Sequence, residues 1–225
     1  REEVLRARPA LSELVREARE LQEPSAPIVQ LVLAREDLAI VGAVPRGDVP
    51  SLFAGGRARM RVSSAAPSRS AMKLAEAIAV FGVGPERGEV CVDLGAAPGG
   101  WSFVALERGA RVFAVDRARL DGKLMAHPRL THVADNAFTW VPPEPVDWLL
   151  CDMVHKPLEV ARLLASWGAR RLTRFVLANV KLPMKTRAEV VRAVQDILRK
   201  EGGFRTIRAR QLYHDRDEIT LVCWR

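Results

Sequence analysis

The chain has 225 residues, 48% hydrophobic and 28% charged, a composition of ordinary globular proteins and a length for one large domain or one domain with an appendage. No apolar run approaches the ~18–20 residues of a membrane span and no apolar leader opens the chain, so a membrane partner is not expected and a cytoplasmic location is. The formal net charge of +8 favours a polyanionic partner, most simply nucleic acid. Of 35 basic residues only six are lysine, so arginine is the default cation and a retained lysine hints at a need for a compact amine. Cys91, Cys151 and Cys223 lie apart in apolar runs and read as core thiols of a reducing compartment. The four histidines show no metal spacing, so no metal is expected.

In chain order, residues 1–22 carry Leu5, Leu11, Leu14, Val15, Ala18 and Leu21 at helical spacing and predict an amphipathic helix. Pro27–Ala34 and Leu38–Val44 predict a hairpin across Arg35-Glu36-Asp37. One helix and two strands are too little for an independent core, so 1–44 reads as the tail of a longer domain, and Arg1 in place of Met agrees. Residues 45–67 have linker composition, with Arg57, Arg59 and Arg61 fitting a solvated connector or a basic strip equally well. The expected division is 1–60 and 61–225.

Ala71–Phe81 predicts a helix with Ser70 as its cap. Lys73 in its first turn opposes the helix dipole, an odd choice for a residue that only faces water. Strand 90–94 follows, carrying one acid, Asp93. A glycine turn and helix 99–108 come next, then strand 111–115, a short helix or turn at 120–126, and strands 132–134 and 146–151. Helix 157–167, strand 174–180 and helix 186–200 complete the alternation, and 204–213 with 218–224 predict a final antiparallel pair. Alternation of this kind means an α/β fold with a mostly parallel sheet covered on both faces.

Strand, glycine turn and helix present backbone N–H groups to a ligand at a helix N-terminus. The turn reads Gly95-Ala96-Ala97-Pro98-Gly99-Gly100. Ala97 stands where a dinucleotide fingerprint needs its second glycine, and no Gly-Lys-Ser/Thr follows, which disfavours a nicotinamide or nucleoside triphosphate ligand. Asp116, Asp135 and Asp152 close later strands, where carboxylates face the ligand crevice. Three acids suit a ligand with ribose hydroxyls, an exocyclic amine and a cationic centre, which describes S-adenosylmethionine. Any one of them alone would equally fit a helix cap.

Val92-Asp93-Leu94-Gly95-Ala96-Ala97-Pro98-Gly99-Gly100-Trp101-Ser102 resembles the cofactor motif of the FtsJ-type ribose 2′-O-methyltransferases. Pro67-Ser68-Arg69-Ser70-x-x-Lys73-Leu74, Cys151-Asp152-Met153-Val154-x-Lys156-Pro157, Lys181-Leu182-Pro183-Met184-Lys185 and Arg210-Gln211-Leu212-Tyr213-His214-Asp215-Arg216-x-Glu218 narrow the resemblance to the bacterial branch that methylates a cytidine ribose in 23S rRNA. The resemblance runs from about residue 60 to the end. It implies a Rossmann-like, seven-stranded class I methyltransferase with a C-terminal antiparallel strand, preceded by the small α+β remnant of a THUMP-containing region. It carries a Lys-Asp-Lys-Glu catalytic set onto Lys73, Asp152, Lys181 and Glu218. It also implies that Ser70, Ala97, Pro98, Gly99, Gly100, Asp116, Asp135 and Asp152 contact S-adenosylmethionine. Ala97 departs from the cysteine of some relatives, which a backbone contact tolerates. Most of the RNA-binding N-terminal region is absent, so weak RNA affinity is expected of this chain.

The implied reaction is methyl transfer to a ribose 2′-OH of 23S rRNA or a precursor by a monomeric enzyme, with Lys181 accepting the hydroxyl proton or positioning the oxygen. Trp101 is placed to line the cofactor pocket. Tyr213 and His214 have no serine or cysteine elbow beside them, so a hydrolase triad is unsupported. A rival reading is a non-catalytic RNA-binding module with a vestigial cofactor pocket.

Overall fold

The computed structural model describes residues 23–35, 37–49, 52, 60 and 63–225, so the helix expected over 1–22 and the arginines Arg57, Arg59 and Arg61 lie outside the described residues. The chain divides into two compact units, Arg1–Arg59 and Met60–Arg225. In the first, β1 (Pro27–Arg35) and β2 (Leu38–Pro45) form an antiparallel ribbon in register from Pro27↔Pro45 to Leu33↔Ala39, with an irregularity before Arg35↔Leu38. Val29, Val32, Ile40 and Val41 of this ribbon are all exposed.

The second unit runs α1 (Ala71–Phe81), β3 (Val90–Leu94), α2 (Gly100–Glu107), β4 (Arg111–Val115), α3 (Gly122–Met125), β5 (Leu130–Val133), β6 (Val146–Cys151), α4 (Pro157–Ala169), β7 (Thr173–Lys181), α5 (Arg187–Lys200), β8 (Thr206–Arg210) and β9 (Glu218–Trp224). Seven strands form one sheet in the order β5-β4-β3-β6-β7-β9-β8. All run parallel except β9, which is antiparallel to both neighbours. The expected α/β architecture with a reversed C-terminal strand is therefore present.

Strand alternation divides the core. Cys91, Trp148, Leu150, Leu177 and Val222 turn toward α1 and α2, while Val92, Leu149, Cys151, Val176 and Cys223 pack with Val160 and Leu164 of α4 and Val194 and Leu198 of α5. Burial on both faces is why these strands read as continuous apolar runs. All three cysteines are buried and unpaired, as core thiols should be.

The strand order reverses between β3 and β6: the chain leaves β3 toward β4 and β5, then returns to the other side of β3. The crevice beyond the C-terminal ends of those two strands is where open α/β sheets bind ligands.

The boundaries of β5 and β8 depart most from expectation. β5 begins at Leu130 because Leu130 pairs with Val112 of β4. β8 is shorter than 204–213: Phe204 is buried in the cluster with α4 and α5, and Gln211–Asp217 is a loop fastened to α1. Ser70 does sit at the N-cap position of α1, but it does not cap. Its backbone is helical, and its hydroxyl lies 2.7 Å from that of Ser68.

Candidate active site

The glycine turn is closed by backbone bonds to the end of β4. Gly95 and Ala96 donate to the Val115 carbonyl at 2.9 and 3.3 Å, and Ala97 N–H donates to Asp116 Oδ2 at 3.0 Å. The Ala97–Pro98 bond is cis, and Gly99 has φ +114°, a conformation that favours glycine. α2 then starts at Gly100 with no side-chain cap on its first turn. A Cβ on Gly100 would strike the Ser68 and Ser70 hydroxyls and come 3.0 Å from Ala71 N. Glycine there lets the Ser68–Ser70 segment dock on the turn, so the structure brings Ser70 to Gly100.

The dipole-opposing Lys73 finds its explanation across the sheet. Its Nζ lies 3.1 Å from Asp152 Oδ1 and 2.6 Å from Glu218 Oε2. Asp152 follows the end of β6 and Glu218 opens β9, so the reversed strand is what delivers the second carboxylate. These side chains are only 13–18% exposed. Burial acts to depress the Lys73 ammonium, but Asp152 and Glu218 outweigh it and hold the group above its ordinary value. Asp152 is pushed up to about 6, chiefly by burial and further by Glu218, with Lys73 pulling the other way.

Lys181 ends β7 directly opposite Glu218 in the β7–β9 register. Opposed residues share a face with Cβ atoms about 4.5–5.5 Å apart. Its side chain is exposed and makes no hydrogen bond or ion pair among the described residues. Three of the four expected residues thus touch, and the fourth stands beside them with an uncommitted amine.

Asp116 sits against the turn, its carboxylate accepting from the N–H groups of Ala97 and Ala118 at 3.0 and 2.8 Å. Asp135 is exposed and accepts from Asn136 N–H at 2.6 Å, a local bond only. Trp101 is buried in the α1–α2 cluster. No group of three or more potential metal ligands occurs among the described residues.

Several residues that hold this cluster carry no local signature in the sequence. Asn179 Nδ2 donates to Asp152 Oδ1 at 3.1 Å, and Asn179 Oδ1 lies 2.7 Å from Thr220 Oγ1, which lies 2.8 Å from Asp215 Oδ2. Thr220 has one proton for two acceptors. Asp215 Oδ2 also accepts from Leu212 N–H at 2.9 Å, and burial raises the Asp215 carboxyl while these hydrogen bonds oppose it. The available signal was period two: Asn179 is two residues before Lys181, Thr220 two after Glu218, and the two are register partners. Glu76, three residues after Lys73 on α1, accepts from Tyr213 N–H at 2.7 Å, His214 N–H at 2.9 Å and His214 Nδ1 at 2.6 Å, fixing the loop that leads into Glu218.

Asp93 lies on β3 beneath the turn, 1% exposed, accepting from Ser102 Oγ at 2.6 Å. Burial pushes it up to about 7, with Ser102 opposing. The folded state therefore binds a proton that the unfolded state has already lost between pH ~4 and ~7. Stability from this group is fully present at low pH and declines as pH rises through that window, by up to roughly 4 kcal/mol at 1.36 kcal/mol per pKa unit. Denaturant titrations from pH 5 to 8 are expected to show that decline in the parent and a flatter profile in Asp93→Asn. Equal slopes would show that Asp93 does not titrate there.

The FtsJ-like methyltransferase family profile matches residues 66–211. The chain belongs to the FtsJ-like methyltransferase family. The match contains the glycine turn, Lys73, Asp152 and Lys181 and ends before Glu218. Among curated proteins, the ribosomal RNA large subunit methyltransferase M of Laribacter hongkongensis is 40% identical over 95% of this chain and 63% of its own length. The protein of the same name from Azoarcus sp. is 45% identical over 73% of this chain and 48% of its own. The chain thus spans between about half and just under two thirds of these relatives. Among solved structures, a protein described as a hemolysin from Lactococcus lactis aligns with a TM-score of 0.60 at 18% identity, covering 72% of this chain and 89% of its own. A ribosomal RNA methyltransferase from Plasmodium falciparum aligns with a TM-score of 0.55 at 16% identity over 70% of this chain and 97% of its own. Both share the fold.

Proposed function

We propose that this chain is the catalytic part of an S-adenosylmethionine-dependent RNA 2′-O-ribose methyltransferase acting on a cytidine of 23S rRNA. The observation that carries the reading is the meeting of Lys73, Asp152 and Glu218 beside the glycine turn, with Lys181 in register opposite Glu218. Family membership supports the chemistry, and the curated relatives, named for the ribosomal large subunit, support the substrate.

The residues present fit the cofactor. Ala97, Pro98, Gly99 and Gly100, with Ser70 behind them, form a turn whose close packing leaves no space for further side chains, and the uncapped first turn of α2 leaves N–H groups for an anionic end. Asp116, Asp135 and Asp152 supply acceptors for hydroxyls, an amine and a cation. When bound, S-adenosylmethionine supplies a methyl group already activated on a sulfonium.

The protein's task is then to place the 2′-oxygen in line and handle its proton. Transfer forms one O–CH3 bond, breaks one S–CH3 bond and releases the hydroxyl proton. Lys181 meets that oxygen: as a neutral amine it takes the proton, and as an ammonium it orients the oxygen and stabilises its developing charge. Lys73 is held by Asp152 and Glu218 and carries fixed positive charge to the same place. Positioning supplies much of the rate because the donor needs no activation.

Residues 1–60 are assigned to the trailing part of an N-terminal RNA-binding region. A two-stranded ribbon with exposed Val29, Ile40 and Val41 does not make a core alone, and the relatives are longer than this chain. The enzyme acts as a cytoplasmic monomer. Among the described residues no helix is long and apolar enough to cross a membrane. Titration calorimetry with S-adenosylmethionine is expected to show one site per chain. Absence of binding, with RNA still bound, would favour a non-catalytic RNA-binding module.

A further inference from the structure

At the opposite end of the sheet from the glycine turn lies a cavity of about 560 Å³. Its position follows from register. Phe175 near the start of β7 pairs with Trp224 at the end of β9, which pairs with Thr206 at the start of β8, whereas the catalytic cluster lies at the end of β7 and the start of β9. Four arginines line the cavity (Arg171, Arg174, Arg205 and Arg225), together with the rings of Phe175 and Trp224.

The charge is largely uncompensated. Arg174 pairs with Asp147 at 3.1 Å. Arg225 donates to the carbonyls of Gly168 and Gly202, which orients its guanidinium without neutralising it. Arg171 and Arg205 are exposed and make no ion pair among the described residues. The aromatic side is organised too. Trp148, Phe175 and Trp224 form one cross-strand row, with Trp148 and Phe175 stacked at 4.7 Å and Phe175 and Trp224 at 6.4 Å. The buried end of the row packs in the core, Arg174 lies over the Phe175 ring at 5.3 Å, and Trp224 remains as the half-buried ring at the cavity.

Arg171 adds an independent sign. It follows the C-terminus of α4 with φ +56°, where glycine is favoured and a side chain is strained. Its N–H bonds the Gly168 carbonyl at 2.9 Å, closing the helix end. Glycine would close it equally well, so the retained guanidinium has no part in the turn. Strain kept at such a position points to function.

We propose that this cavity is a second RNA-contact site, taking a phosphate and a stacked base of single-stranded RNA well away from the reaction. Free guanidinium groups beside aromatic faces are the chemistry that holds single strands with little sequence preference. The site rests on the rRNA methyltransferase reading above. From Glu218 to Trp224 the chain advances six residues along β9, about 20 Å, or roughly six nucleotides stacked at ~3.4 Å each. Arg205 and Arg210 stand exposed at the two ends of edge strand β8, which runs between the two sites. RNA long enough to follow that edge engages both sites, and a shorter one engages the catalytic end alone.

The test compares the parent chain with an Arg171→Gly, Arg205→Ala double variant, by fluorescence anisotropy on single-stranded rRNA-derived oligonucleotides of about twelve and about four nucleotides. The double variant is expected to raise Kd for the longer RNA by about tenfold and to flatten the slope of log K against log salt by about 0.7, the value for one phosphate on a single strand. Affinity for the shorter RNA and for S-adenosylmethionine is expected to be unchanged. Arg171→Gly alone is expected to keep or raise Tm. Unchanged Kd and slope on the longer RNA, an equal loss on both lengths, or a lowered Tm accompanying the loss would each overturn the site. A parent chain that binds neither RNA overturns this proposal together with the RNA reading, whereas intact parent binding with an indistinguishable variant overturns this site alone.

Discussion

Lys181→Ala is expected to lower methyl transfer by about 10²–10⁴-fold, or roughly 3–5 kcal/mol of transition-state stabilisation, while S-adenosylmethionine binding stays close to that of the parent. The separation follows from where Lys181 stands. It ends β7 opposite Glu218, exposed and without a partner, so its truncation leaves no buried charge and breaks no ion pair among the described residues. The fold and the turn should not register its loss, since exposed substitutions of this kind usually change stability by about 0.5 kcal/mol or less. Lys181→Arg refines the result. Arginine keeps the charge but does not give up its proton, so near-complete loss of activity in that variant identifies a base, and partial retention identifies an oxygen-positioning cation. Single-turnover transfer with saturating cofactor measures all three proteins. Normal turnover by Lys181→Ala would remove Lys181 from the mechanism.

The second large effect is an acid limb. The Asp152 carboxyl is pushed up to about 6, mainly by burial. Protonation there withdraws the charge that Lys73 Nζ meets at 3.1 Å and leaves Asn179 Nδ2 facing a neutral carboxyl. The value of kcat/KM, which reports the free enzyme, is expected to fall about tenfold per pH unit below pH ~6. Unfolding would mimic such a limb, but the sign of the linkage is opposite. A carboxyl raised in the folded state binds its proton more tightly there, so this group's contribution to stability is fully present at low pH and declines as pH rises from ~4 to ~6. Activity and this contribution to stability therefore move in opposite directions across that window. Asp152→Asn should fix the low-pH state, with activity low at every pH and no limb near 6. A parent profile flat from pH 5 to 8 would contradict the role given to Asp152.

The parts legible in the residue string were those with a local signature. Apolar runs punctuated by glycine located five of the seven sheet strands closely, and the Gly95–Gly100 turn marked the end of β3 where the strand order reverses. Lys73 was flagged because a cation in a first helical turn is locally unfavourable, and the structure supplies the cause in two carboxylates 79 and 145 residues away. Ser70 shows the limit of local reading. Its type and position fit a cap, but Ser68 and the close approach of Gly100 take its hydroxyl instead. Asn179 and Thr220 carry no local signature because their meaning is a cross-strand register, and Asp215 carries none because it reaches Thr220 from a loop. Glu76 was missed because its partners are backbone N–H groups of a loop over a hundred residues on. β8 was drawn too long because Phe204 and Leu212 extend the apolar pattern at both ends, although both are buried outside the strand.

The role proposed for Lys73, Asp152, Lys181 and Glu218 is transfer of a methyl group to a ribose oxygen. Incubation with S-adenosylmethionine carrying a labelled methyl and unmodified 23S rRNA, followed by nuclease digestion and nucleoside analysis, tests it most directly. Label is expected in a 2′-O-methylcytidine, absent when the chain carries Lys181→Ala. Label on a base carbon or nitrogen, or equal labelling by the variant, would contradict it.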